Sequence, residues 1–172
     1  MRKLQKWSII LAFVVGIFGC TQKSTSGFKP NSEPDGFAGI KWSTEFSEVK
    51  SDMVELRSVI NPTEPDVKIK IYYTKKGDNL KMGEAQIDKI EYGFFRGKFA
   101  EVQITATGSG NFNHLKKVLF EKYGTADKPV QGLYPWNGSV TRIALRYDEA
   151  AKTSLLTISS TKITFQEIFD KD

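Results

Sequence analysis

Ile90-Glu91-Tyr92-Gly93-Phe94-Phe95-Arg96-Gly97-Lys98-Phe99-Ala100-Glu101-Val102-Gln103-Ile104 decides how this chain folds. Ile90, Tyr92 and Phe94 alternate with Glu91, and Ala100, Val102 and Ile104 alternate with Glu101 and Gln103. Period two is the signature of a strand with one buried face. If Phe95 opposes Phe99, then Phe94 meets Ala100, Tyr92 meets Val102 and Ile90 meets Ile104, so the apolar residues share one face. Arg96-Gly97-Lys98 is then the loop, of a type left open by the early position of Gly97. In this register Phe95 and Phe99 form an aromatic pair on the opposite face, with Arg96 and Lys98 at the tip.

The flanking segments extend the pattern. Upstream, Val67, Ile69, Ile71 and Tyr73 alternate with Lys68, Lys70 and Tyr72, which predicts another strand. Further upstream, Ser43 or Thr44 can cap a helix bearing Phe46, Val49, Met53 and Leu56 at three- and four-residue spacing. Downstream, Asn111 or Asn113 can cap a second helix with Leu115, Val118, Leu119 and Tyr123 on one stripe and Gly124 as its stop. Asn137-Gly138 predicts a hairpin joining Gly132–Trp136 to Ser139–Tyr147, and Pro135 predicts a sheet edge. A last hairpin pairs Ile143, Leu145 and Tyr147 with Ile158, Leu156 and Ser154. The tail through Phe165, Ile168 and Phe169 fits a strand or a helical turn.

The expected order is a short strand, helix, three strands, helix, three strands and that tail. This is an α+β chain: two helix-then-three-strand units forming an antiparallel sheet with helices packed on one face. Its helix-then-meander repeat, from Gly36 onward, resembles the β-lactamase-inhibitor-like fold found in small envelope assembly lipoproteins. The resemblance implies an architecture and no specific chemistry.

The N-terminus says where the protein resides. Arg2, Lys3 and Lys6 precede an apolar run from Trp7 to Phe18, and Gly19 precedes Cys20, the only cysteine. Twelve helical residues rise about 18 Å, short of a hydrocarbon core of about 30 Å, so a permanent membrane span is the poorer reading. Ile17, Gly19 and Cys20 resemble the bacterial lipoprotein signal. That resemblance implies cleavage after residue 19 and a mature N-terminal Cys20 carrying several acyl chains, which anchor far better than one. Thr21, a residue other than Asp after the cysteine, favours the periplasmic side of the outer membrane by the same resemblance. Residues 1–19 are then the signal peptide, 20–35 a lipidated flexible tether rich in Ser, Thr, Lys, Gly and Pro, and 36–172 a single globular domain.

Charge excludes one class of partner. Formal net charge is +5, but three of the 25 basic residues lie in the leader, leaving 22 against 20 acids, or +2. Such a mixed surface gives no footprint for nucleic acid. With Cys20 acylated, disulfides and thiolate metal sites are excluded as well.

Catalytic signals are sparse. His114 is the only histidine and has no nucleophile motif or second metal ligand beside it in sequence. Glu64, Asp66, Asp148 and Glu149 read as turn acids, and Gly108-Ser109-Gly110 as a strand-to-helix loop. No cofactor is indicated. Two aromatic groups stand out as binding candidates: Phe95, Arg96, Lys98 and Phe99 at the hairpin, and Tyr134 with Trp136, near which Trp42 could lie. The expectation is a non-catalytic, membrane-anchored module binding an envelope protein or the cell wall. An envelope hydrolase acting on glycan or peptide and a carrier of an apolar ligand are the alternatives.

Overall fold

The computed structural model describes residues 27–61, 64, 68–130 and 132–163. Cys20, Asp66 and the tail beyond Ile163 lie outside them. In chain order the elements are β1 (Gly36–Phe37), β2 (Ile40–Lys41), α1 (Phe46–Val49), β3 (Met53–Ile60) and β4 (Lys68–Lys75). There follow β5 (Lys81–Met82), β6 (Ala85–Gln86), β7 (Lys89–Phe95), β8 (Lys98–Thr107) and α2 (Ser109–Tyr123). The last are β9 (Leu133–Asn137), β10 (Thr141–Asp148) and β11 (Thr153–Ser160). The main sheet has seven antiparallel strands in the order β3-β4-β7-β8-β11-β10-β9. The chain is therefore α+β.

Pairing follows the alternation seen in the sequence. Ile90 opposes Ile104 and Tyr92 opposes Val102, while Ile143, Leu145 and Tyr147 oppose Ile158, Leu156 and Ser154. Pro135 lies in the edge strand β9, where its missing N–H breaks no ladder. The apolar faces of all these strands form one core with Leu115, Leu119 and Tyr123 of α2 and with Phe46 of α1. Phe46 stacks on Tyr73 at 4.3 Å and meets Phe94 edge-on at 5.2 Å.

Four expectations need correction. The first helix is a single turn, continued by a 3-10 turn over Lys50–Asp52, and Met53 and Leu56 belong to strand β3. The first half therefore places four strands, not three, in the main sheet, with the small β5–β6 hairpin between β4 and β7. A bulge hides the strand from its sequence: Glu55 faces Tyr73 and Arg57 faces Tyr72, so Leu56 is the extra residue and period two is lost. The cap of α2 also differs, because the helix begins at Ser109 after Gly108, and Asn111 instead accepts the Gln86 N–H and donates to the Thr107 carbonyl.

The third correction concerns the decisive hairpin. Below Gly93 the register shifts, Phe94 opposes Phe99, and Phe95 opposes Lys98. The loop is two residues, Arg96 and Gly97, both at positive φ (44° and 82°). That is the arrangement of a type I′ turn, whose twist matches the flanking strands. Ala100 absorbs the extra residue, and Phe99 turns into the core, fully buried and stacked on Trp42 at 5.0 Å.

The fourth correction concerns the tether. Residues 27–35 form a strap packed on the domain. Phe28 is buried and meets Tyr123 edge-on at 5.5 Å. The Gly27 N–H donates to the Asn137 carbonyl at 3.2 Å, and that of Lys29 to the Tyr123 carbonyl at 2.7 Å. The Glu33 carboxylate accepts the Val140 and Thr141 N–H groups at 2.6 and 2.8 Å and the Ser139 hydroxyl at 3.2 Å. Burial works to raise the pKa of Glu33, but these bonds outweigh it and hold the carboxyl below its ordinary value. One large ring and one clasped carboxylate overcome the polar composition that suggested disorder.

The strap also explains Gly138. It does not adopt the positive φ of a two-residue Asn-Gly turn. A Cβ there would stand 2.0 Å from Glu33 Oε1 and 2.9 Å from the Phe28 ring, so glycine serves close approach. Removal of the ring by Phe28→Ala is expected to cost about 3 kcal/mol in urea unfolding, as for other buried Phe truncations; an unchanged midpoint would return the strap to the status of a tether. A folded-state pKa below the unfolded value makes Glu33 stabilising above about pH 4.5, with the stability lost as pH falls through the folded value. Glu33→Gln is expected to flatten that acid limb of a pH–stability profile.

Candidate functional site

Two faces of the sheet have different chemistry. Helix α2 covers one. The other carries Lys70, Tyr72, Glu91, Glu101 and Gln103 from adjacent strands, with Arg57 reaching across from β3. Arg57 Nε donates to Glu91 Oε1 at 3.1 Å, and its Nη2 donates to Gln103 Oε1 at 3.1 Å. Gln103 Nε2 donates to Glu101 Oε1 at 2.7 Å, and the Tyr72 hydroxyl donates to the same oxygen at 2.8 Å. Lys70 and Lys89 each stand 3.4 Å from a carboxylate, of Glu101 and Glu91 respectively.

This network is a lid of paired charges on the open face. The Arg57 guanidinium lies 3.5 Å from the centre of the Tyr72 ring, and Glu91 is only 4% exposed beneath its two cations. Burial would lower the pKa of Arg57, but the bond to Glu91 and its charge hold it above the ordinary value. Burial, reinforced by the Glu101 charge and hydrogen bond, pushes the Tyr72 phenol well up. Both carboxylates are matched by cations, Glu91 by Arg57 and Lys89 and Glu101 by Lys70.

Strand β3, at the margin of this face, is different. It presents eight residues along a sheet edge that no other strand pairs among the described residues. Val54 and Leu56 are each 46% exposed, Val59 39% and Ile60 50%. Val54 and Val59 share the open face with Arg57, as their partners Thr74, Lys70 and Tyr72 do. The other edge, β9, is short and carries Pro135, the usual means of blunting an edge. At β3 only the bulges at Leu56 and between Val59 and Ile60 disturb the template. Exposed apolar side chains beside unpaired backbone groups suit an added strand. No family model, curated protein or solved structure matches the chain.

Of the candidate residues read from the sequence, Phe95, Arg96 and Lys98 meet at the β7–β8 turn, whereas Phe99 and Trp136 lie in the core. Phe95 is half-buried on the open face with the Arg96 guanidinium 5.4 Å from its ring centre. Lys98 is 3.9 Å from Glu45, and Phe99 is in the core. The proposed Phe95–Phe99 surface pair therefore does not exist. Trp136 is fully buried and donates to the Gly124 carbonyl at 2.8 Å. Tyr134 is half-buried under α2, with Lys116 5.2 Å from its ring. Trp42 donates to the Thr141 hydroxyl at 2.7 Å.

His114 lines a shallow pocket with Gly83, Glu84, Lys117, Val118 and Glu121, and its Nε2 is 3.6 Å from Glu84. Among the described residues no group of three His, Cys, Asp or Glu side chains could hold a metal. No helix among them is long and apolar enough to cross a membrane. Asp148 accepts the Ala150 and Ala151 N–H groups at 2.9 Å, as a turn acid does, and the bond from Ala151 followed by that from Ala150 lowers its pKa.

Sequence reasoning missed β3 because its apolar residues were read at helical spacing. It missed the network because Arg57, Tyr72, Glu91 and Gln103 meet only across four strands. A double-mutant cycle of Arg57→Met and Glu91→Gln is expected to give a coupling of about 1 kcal/mol; additivity would mean that water screens the pair. Tyr72 is raised in the folded state, so its contribution is complete below about pH 10 and is lost as pH rises beyond it. Tyr72→Phe is expected to flatten the alkaline limb of a pH–stability profile; an unchanged limb would mean that the Tyr72 phenol ionises as freely folded as unfolded.

Proposed function

We propose that this chain is a lipid-anchored, non-catalytic module of a bacterial envelope, on the periplasmic side of the outer membrane, which captures a protein partner by adding a strand to β3. The observation that carries the binding proposal is the eight-residue edge strand β3, which among the described residues pairs only with β4 and exposes four apolar side chains. Monomeric proteins rarely leave such an edge uncovered, because it is also a template for aggregation. The anchor is supported by the leader pattern ending at Gly19-Cys20. We read α2 with β9–β11 as one helix-then-three-strand unit and the first half as its longer counterpart; the likeness to β-lactamase-inhibitor-like lipoproteins rests on that plan. The hydrolase and apolar-carrier alternatives have no comparable support among the described residues.

Strand addition gives affinity through backbone hydrogen bonds and selectivity through alternate side chains. Here Val54 and Val59 would contact the incoming strand on the open face. Surface substitutions at such positions usually change stability by less than about 0.5 kcal/mol. Val54→Lys with Val59→Lys is therefore expected to leave the thermal midpoint unchanged. It should abolish an adduct formed in cells by a photo-crosslinking residue at position 56. Equal adducts from position 56 and from position 155, remote on the open face, would count against the β3 edge. Cys20→Ser is expected to release the protein into the soluble periplasmic fraction; retention in the membrane would count against the anchor.

A further inference from the structure

We infer that the bilayer holding the anchor docks against the β9 end of the domain, on the surface formed by the strap, the end of α2 and the β9–β10 turn. This rests on the lipid anchor proposed above and adds an orientation to it. The strap decides the geometry. With residues 27–35 packed on the domain, only residues 21–26 separate Cys20 from Gly27. Seven virtual bonds span at most about 25 Å, however that segment is arranged.

The point of attachment lies at one edge of the sheet. Gly27 is bonded to Asn137 of β9, and a Cβ on it would stand 2.3 Å from the Asp127 carboxylate. The two edges are separated by six strand spacings, about 29 Å. The tether is therefore shorter than the sheet is wide. An orientation with β3 against the lipid and β9 pointing away is out of reach.

The chemistry of the β9 end suits a headgroup surface. Lys29, Lys122 and Lys128 are exposed around the attachment point. The nearby acids Glu33 and Asp127 are engaged locally, Asp127 by the Asn137 backbone and side-chain amides at 2.9 and 3.1 Å. Asp35 and Glu121 are the exposed acids here, and Asp35 stands 3.4 Å from Lys41. Lys29 donates to the Glu121 carbonyl at 2.6 Å, while Lys122 and Lys128 stay exposed and, apart from Glu121, the carboxylates here are engaged within the domain, which favours anionic lipid. The same placement leaves β3 on the far side of the domain, open to a partner from the periplasm.

The test uses the full-length lipidated protein in vesicles of zwitterionic lipid containing an anionic lipid. Acylation blocks the only native cysteine, so Glu121→Cys and Val54→Cys, both at exposed positions, take a fluorophore singly. A collisional quencher carried on lipid headgroups is expected to quench the label at position 121 several-fold more than the label at position 54. Equal quenching, or stronger quenching at position 54, in protein that floats with the vesicles overturns the docking. Protein that fails to float overturns the anchor itself, and the docking with it.

Discussion

The pairing of β8 with β11 is the constraint on which the rest of the molecule depends. Thr107 opposes Thr153 and Glu101 opposes Ser159, with Ile104–Leu156 and Val102–Ile158 between them on the core face. Without this ladder the chain would be two separate sheets, β3-β4-β7-β8 and β9-β10-β11, each with an apolar face exposed. The chain between β8 and β9 carries α2 over one face of the sheet, with Leu115 and Leu119 buried. The core therefore closes on one side only. The other side is left to side chains, and the Arg57–Glu91–Gln103–Glu101–Tyr72 network occupies it.

The same strand order assigns the two edges. β9 is short, carries Pro135, and is covered near its end by the strap. β3 is long, exposes four apolar side chains, and among the described residues pairs only with β4. A sheet with one guarded edge and one open edge has a direction. In the proposed function that direction runs from the anchoring bilayer to the partner.

The strap shows how little apolar surface suffices to order a polar segment. Phe28 inserts beside Tyr123, and Glu33 satisfies backbone donors of the β9–β10 turn. Trp42 and Pro34 both reach the Thr141 hydroxyl, the former donating to it and the latter accepting from it through its carbonyl. A buried polar group of β10 with partners in two other segments ties the strap to both β10 and the start of the domain. Composition alone favoured disorder because it counts residues and takes no account of a preformed cleft.

Local periodicity by itself determined the α+β class, helix α2, the β10–β11 register and the outer part of the β7–β8 register. Each is set within one segment or between neighbours joined by a turn, where alternation and turn chemistry act directly. The inward rotation of Phe99 was beyond it, because a bulge at Ala100 and a type I′ turn at Arg96-Gly97 are settled by the twist of the assembled sheet. Strand β3 was hidden for the same reason: the bulge at Leu56 erases alternation and leaves a spacing that imitates a helix. The exposed edge, the polar network and the docked strap are long-range outcomes. They depend on which strands lie side by side, and that was decided when distant apolar faces found a common core.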